Sequence, residues 1–205
     1  MQPVPDFDAI TSDLAIWSAY DPEAKAELYS TGLVTVNGSY LIDPILLQRR
    51  ALDEMIDSGT VAGIVVTNSN HHRAAAQFAQ QLSVAIFSHA QTFPSDQPGR
   101  LTTIADCEEI CDRLRVIAIN GAAPGEIVPH YGGNGGRLII GDALINFEPY
   151  GFAFLPAKYC SDQREMRRSL RKLLDYEAER ILFAHGTPIL SRASQRLEAL
   201  LISGS

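Results

Sequence analysis

The chain has 205 residues, with 17 Lys+Arg against 24 Asp+Glu, a formal net charge of −7 and 46% hydrophobic residues. That length suits a single domain with a real core and the composition excludes wholesale disorder or a fibrous design. The acidic balance offers no broad footprint for nucleic acid or an anionic membrane, so neither is expected as a partner.

Three Cys, at 107, 111 and 160, make no disulfide framework and suit a reducing cytosol. The first residues carry no basic and apolar leader, and no apolar run reaches the roughly 18 residues a membrane helix needs. The expectation is a cytoplasmic protein, one domain over 1–205, with a closed homodimer as the commonest assembly for such a chain.

The first forty residues read as β-structure. Short β-branched and aromatic runs cover Asp13–Tyr20, Ala26–Ser30 and Leu33–Val36. The Asn37-Gly38 turn leads into a fourth run ending at Asp43-Pro44, which reads as a turn starter. The period then changes. Leu47, Ala51, Met55 and Ile56 recur on one face over 46–58, with Gly59 just past the end, which predicts a helix.

Ala62–Thr67 is a continuous apolar run, as in a strand buried on both faces. Ala75, Phe78, Ala79 and Leu82 mark an amphipathic helix, Val84–Phe87 a strand, and 91–100 an irregular loop. Cys107 and Cys111 fall four apart in an acidic stretch that reads as helical, with the thiols buried.

Strands follow at Val116–Ile119 and Glu126–His130. The Gly132–Gly136 segment lacks the Lys-Ser/Thr of a phosphate loop and reads as a hairpin turn. Arg137–Asp142 is the next strand. Residues 162–176 are helical, with a basic stripe (Arg164, Arg167, Arg168, Arg171, Lys172) opposite the apolar face and solvated by default. Ile181–Ala184 is a last strand and 191–202 a closing helix.

Four polar loops each end an apolar strand: Thr67–Arg73, Asn120–Glu126, Ile140–Leu144 and Ala184–Pro188. Strand carboxyl ends are where such sheets gather functional groups from distant sequence. In order and spacing these loops resemble the metallo-β-lactamase-fold hydrolases, over nearly the whole chain from Leu41-Ile42-Asp43 to His185-Gly186. The resemblance implies an α+β fold, a four-layer αββα sandwich, whose loops hold one or two metal ions. Those ions lower the pKa of a water to make a hydroxide nucleophile.

The scaffold matches better than the ligands. Asn68 and Asn70 stand where the resemblance puts the first two His, His72 at the Asp position, Arg73 at the third His and Ala122 at the second-loop His. Asp142 and His185 are kept. Asn and Ala do not replace imidazoles as strong ligands, so a working two-metal centre is not expected.

Two readings stay open. In the leading one no metal binds and Arg73 pairs with Asp142 in its place. Asn68, Asn70, His71, His72, Arg73, Ala122, Asp142 and His185 then form a polar pocket for a small polar or anionic ligand. In the other, one Zn or Mn ion sits on His72, Asp142 and His185, and the protein hydrolyses an ester, thioester, lactone or phosphoester. His71 and His72 are adjacent, and a slip of one residue exchanges which faces the pocket.

Overall fold

The computed structural model describes residues 2–23, 25–56, 59–95 and 97–203. Strands β1 (Asp8–Thr11), β2 (Leu14–Asp21), β3 (Ala26–Thr35) and β4 (Gly38–Ile42) form an antiparallel meander. β5 (Val61–Val66), β6 (Ala85–Ser88) and β7 (Leu101–Thr103) extend it in parallel to seven strands. A second sheet follows, from β8 (Glu109–Cys111), β9 (Leu114–Ala118), β10 (Ile127–Tyr131), β11 (Arg137–Ile140) and β14 (Arg180–Phe183). In the chain, the connection from β11 to β14 carries a separate hairpin of β12 (Leu144–Phe147) and β13 (Gly151–Phe154).

Helices α1 (Arg49–Met55) and α2 (Ala75–Leu82) accompany the first sheet. α3 (Gln163–Leu170), continued by a 3-10 turn over Arg171–Asp175, and α4 (Ala193–Ser203) accompany the second. Asp162 caps α3 through its carboxylate, which accepts the Arg164 and Glu165 N–H groups.

The layering follows from alternation along the strands. Leu41, Ile64, Val66 and Ile86 pack with the α1 and α2 residues Leu52, Met55 and Phe78. Their neighbours Ile42 and Val65 point the other way, to meet Val116, Ile127, Ile139 and Leu182 of the second sheet. Leu138, Ile140, Ile181 and Phe183 face a third core with Met166, Leu170, Leu197 and Leu201. Three apolar cores separated by two sheets are the four layers of an αββα sandwich. The period-2 pattern of strands buried on both faces produces them.

A charged pin joins the two sheets at one edge. Arg137 lies on the same side of β11 as Ile139, fully buried, and its Nη2 donates to Asp13 in the β1–β2 turn at 2.7 Å. Thr11 and Asn134 also donate to that carboxylate. Burial opposes its ionisation, but these partners hold Asp13 down at about 2.

Several sequence expectations are corrected. The Cys107–Cys111 stretch is not a buried helix: Cys107 is exposed in a turn and Cys111 ends β8 half-buried. The expected breaks at 31–32 are continuous strand, and β1, β7 and the β12–β13 hairpin were not anticipated. The first helix is shorter than 46–58, and residues 57 and 58 lie outside the described ones. The basic stripe is partly engaged: Lys172 bonds Asp106 and the Ala118 carbonyl, and Arg167 lies over the Phe154 ring. No helix among the described residues is long and apolar enough to cross a membrane.

Candidate metal centre

The site begins where β4 and β5 end side by side. Asp43 closes β4 with φ at +47°, a left-handed conformation that Asp tolerates better than most residues. Its buried carboxylate accepts the Thr67 N–H (2.8 Å) and Thr67 Oγ1 (2.5 Å) from the end of β5, and lies 2.9 Å from His71 Nδ1. Asp43 therefore ties the two strand ends together and fixes the ring of His71.

The loop after β5 turns sharply because Asn68 Oδ1 accepts the Asn70 N–H and the Asn68 carbonyl accepts the His71 N–H. This turn aims His71 inward. His72 goes outward, stacked on Phe93 with centroids 4.1 Å apart and Nε2 2.7 Å from the Thr92 carbonyl. The expectation that His72 belongs to the pocket is thus corrected in favour of His71.

Asp142 follows β11 and His185 follows β14, which pair in parallel and so end together. His71 Nε2 and His185 Nε2 each lie 3.2 Å from Asp142 Oδ1, and 3.3 Å from each other. Asp142 Oδ2 accepts a hydrogen bond from Asn70 Nδ2 at 2.8 Å, leaving Oδ1 for the two rings. Burial works against ionised Asp142, but His71 and His185 outweigh it and hold the carboxyl well below its ordinary range. His71 moves the opposite way. Burial and Arg73 disfavour its charge, yet Asp43 and Asp142 raise it to about 9.

The three facing atoms fit a divalent ion. Tetrahedral zinc with bonds of about 2.0–2.1 Å separates its ligand atoms by roughly 3.3–3.4 Å, close to the spacing found here. The donor set of two imidazoles and one carboxylate is that of catalytic zinc sites, which keep a fourth position open. Asp43 on the far nitrogen of His71 is the outer partner that fixes tautomer and direction. Among the described residues, this is the group of three His, Cys, Asp or Glu placed closely enough to hold a metal.

The other expected residues take different roles. Asn68 donates to the buried Glu126 carboxylate at 2.7 Å. Ala122 is buried in the core against the second sheet. Arg73 does not pair with Asp142. Its Nη1 donates to the backbone carbonyls of Tyr29 and Asp43, from a residue whose backbone is left-handed (φ +37°). The Arg73 side chain is held on the backbone behind Asp43, and its charge still acts on the Asp43 and Asp142 carboxylates.

Two contributors were not singled out as functional from the sequence. In the sequence Asp43 reads as a turn starter. Glu126 sits below Asp142, accepting the Asp142 and Ala143 N–H groups at 2.9 and 3.1 Å. Burial and the nearby Asp142 push Glu126 up to about 8. The available signal was a carboxylate directly beside an apolar strand end, in Ile42-Asp43 and Glu126-Ile127, but only pairing between distant strands shows what each one meets.

Gly141 lets these layers close on one another. A Cβ there would lie 2.6 Å from Thr67 Oγ1, 2.8 Å from Glu126 Oε1 and 2.9 Å from Asn68 Nδ2. Gly141→Ala is expected to push apart the supports of His71 and Asp142. Zinc affinity, followed by competition with a chromogenic chelator, should fall about 10–100-fold, the range for loss of outer-shell support.

A family model for the metallo-β-lactamase superfamily matches residues 9–203, and the chain belongs to that superfamily. No curated protein matches the sequence. Among solved structures, the DIM-1 metallo-β-lactamase superposes with a TM-score of 0.76 at 14% identity, covering 97% of each chain. A metallo-β-lactamase from Pontibacter korlensis gives 0.73 at 15% identity, over 98% of this chain and 99% of its own. A metallo-β-lactamase family protein from Thermus thermophilus gives 0.67 at 20% identity, over 96% of this chain and 80% of its own. At such identities the likeness establishes the fold.

Proposed function

We propose that the protein is a single-metal hydrolase of the metallo-β-lactamase fold, with one divalent ion, zinc or manganese, held by His71, Asp142 and His185. The observation that carries this reading is the convergence of three ligand atoms 3.2–3.3 Å apart, with His71 oriented from behind by Asp43. Bound there, the ion supplies Lewis acidity and activates water near neutral pH.

The chain's own residues do the positioning. Asp43 holds the His71 ring, Asn70 holds one oxygen of Asp142 so that the other faces the site, and Glu126 fixes the backbone beneath it. The substrate is a small molecule, an ester, thioester, lactone or phosphoester. Its hydrolysis adds the elements of water across the broken bond. A two-metal mechanism is not supported, because Asn68 and Asn70 already donate to carboxylates and Ala122 offers no ligand atom.

The test is a zinc titration of chelator-treated protein, followed by thermal unfolding and by hydrolysis of a panel of ester, thioester, lactone and phosphoester substrates. One bound equivalent should stabilise the fold by about 2.7 kcal/mol at a hundredfold excess over Kd. For a chain of this size that is a rise of roughly 5–10 °C in Tm. Two equivalents bound with similar affinity, or no shift with zinc or manganese, would overturn the reading.

A further inference from the structure

Beside the candidate metal centre runs a groove of about 470 Å³. Its floor is His185, Gly186 and Thr187, stitched on both sides. The Tyr29 N–H bonds the Ala184 carbonyl at 3.0 Å, and the Asn146 and Thr187 N–H groups bond the His185 and Asn146 carbonyls at 3.2 and 3.0 Å. One wall is the β2–β3 hairpin, with Tyr20, Lys25, Glu27 and Tyr29; the other is the β12–β13 hairpin, with Phe147 and Glu148.

The wall chemistry is specific. Tyr20 is 59% exposed and Phe147 39%. Tyr150, also 59% exposed, meets Phe147 edge-on with centroids 5.6 Å apart. Tyr20 and Phe147 line this groove and Tyr150 adjoins Phe147, so the exposed rings are grouped at one groove and offer apolar faces for a ligand. Two carboxylates, Glu27 and Glu148, line the groove with one cation, Lys25, on a chain of net charge −7. Ring faces and carboxylates together attract a flat or cationic group and oppose an anionic one.

We infer that this groove selects the substrate by a ring substituent that bears no negative charge, with a quaternary ammonium favoured. The inference rests on the hydrolase reading for its connection to turnover: the substituent lies along the hairpin walls while the scissile bond reaches His185. Carboxylate-bearing substrates are disfavoured at the wall end, where Glu27 and Glu148 meet them.

The experiment separates the groove from the metal by using the chelator-treated full chain. Binding of benzyltrimethylammonium, benzyl alcohol and benzoate is measured by ligand-observed NMR at low salt. The expected order is cation, neutral, anion, with the cation about fivefold or more tighter than benzoate. Phe147→Ala should weaken the cation about threefold or more. Glu27→Gln combined with Glu148→Gln should shrink the gap between cation and anion towards that of the neutral probe.

Both substituted walls are exposed, so folding is checked simply by an unchanged melting curve. Benzoate binding as well as the cation would overturn the inference and point to Lys25 as an anion site. Failure of all three probes to bind, or an unchanged cation affinity in Phe147→Ala, would also overturn it. Failure of zinc to bind while the probe order holds would overturn the hydrolase reading alone.

Discussion

His71→Ala is expected to lose the zinc-dependent rise in melting temperature, with affinity reduced roughly 100-fold or more, while His72→Ala keeps it within a few-fold. The two residues are neighbours of one type, so the change in composition is the same in both variants. They differ in direction. His71 shares its Nε2 face with Asp142 and His185, whereas His72 is spent on Phe93 and the Thr92 carbonyl.

Loss of an outer partner alone costs a metal site about 10–100-fold. Asp43→Asn should fall in that range, and a lost direct ligand should exceed it. His71→Ala also leaves Asp43 and Asp142 without their main counter-charge, so its metal-free form is expected to melt earlier. The difference made by zinc, rather than the absolute Tm, is therefore the quantity to compare. His185→Ala serves as the companion variant, since its side chain is 20% exposed and its loss disturbs the buried network less. A zinc response preserved in both His71→Ala and His185→Ala would rule out the site.

Asp13→Ala, far from the site, should destabilise the fold by about 3 kcal/mol. The loss is mostly what remains behind. Arg137 is fully buried, and its Nε and Nη1 have no hydrogen-bond partner among the described residues, so without Asp13 an uncompensated cation lies between the sheets. Replacing Asp13 and Arg137 together by leucine and methionine should recover much of the loss, since apolar substitutes for a buried pair are often neutral.

The same pair gives acid stability a defined shape. The folded carboxyl sits at about 2, below its ordinary value of 3.8. The unfolded chain therefore takes up the proton first as pH falls. The stabilisation is complete above about 4 and disappears as pH falls through about 2. Asp13→Asn should flatten that part of a urea-unfolding series between pH 4 and pH 2. An unchanged slope in the variant would show that the pair contributes nothing to acid stability.

Much of the architecture was legible because strands buried on both faces leave continuous apolar runs. Ala62–Thr67, Arg137–Asp142 and Ile181–Ala184 were placed within a residue or two of β5, β11 and β14. The amphipathic repeat of Ala75, Phe78, Ala79 and Leu82 placed α2. Short edge and hairpin strands escaped, since β7 has three residues and β12 and β13 four each, too few to show a readable alternation. The Cys107–Cys111 stretch was misread for the same reason. A three-residue strand with an irregular register has no periodicity to read.

By itself the sequence marked the strands buried on both faces and the polar loops that end them; their four-layer arrangement was what the resemblance implied, and the structure has it. It also carried the expectation that Asn68, Asn70 and Ala122 do not rebuild a two-metal centre, because ligand chemistry belongs to residue type. Tertiary structure alone decided which histidine meets Asp142 and His185. The Asn68 turn, the left-handed backbones of Asp43 and Arg73 and the hydrogen bonds of Asp43 select His71 and send Arg73 to backbone carbonyls. Side-chain direction in an irregular loop depends on contacts with strands tens of residues away, and a linear pattern does not carry them.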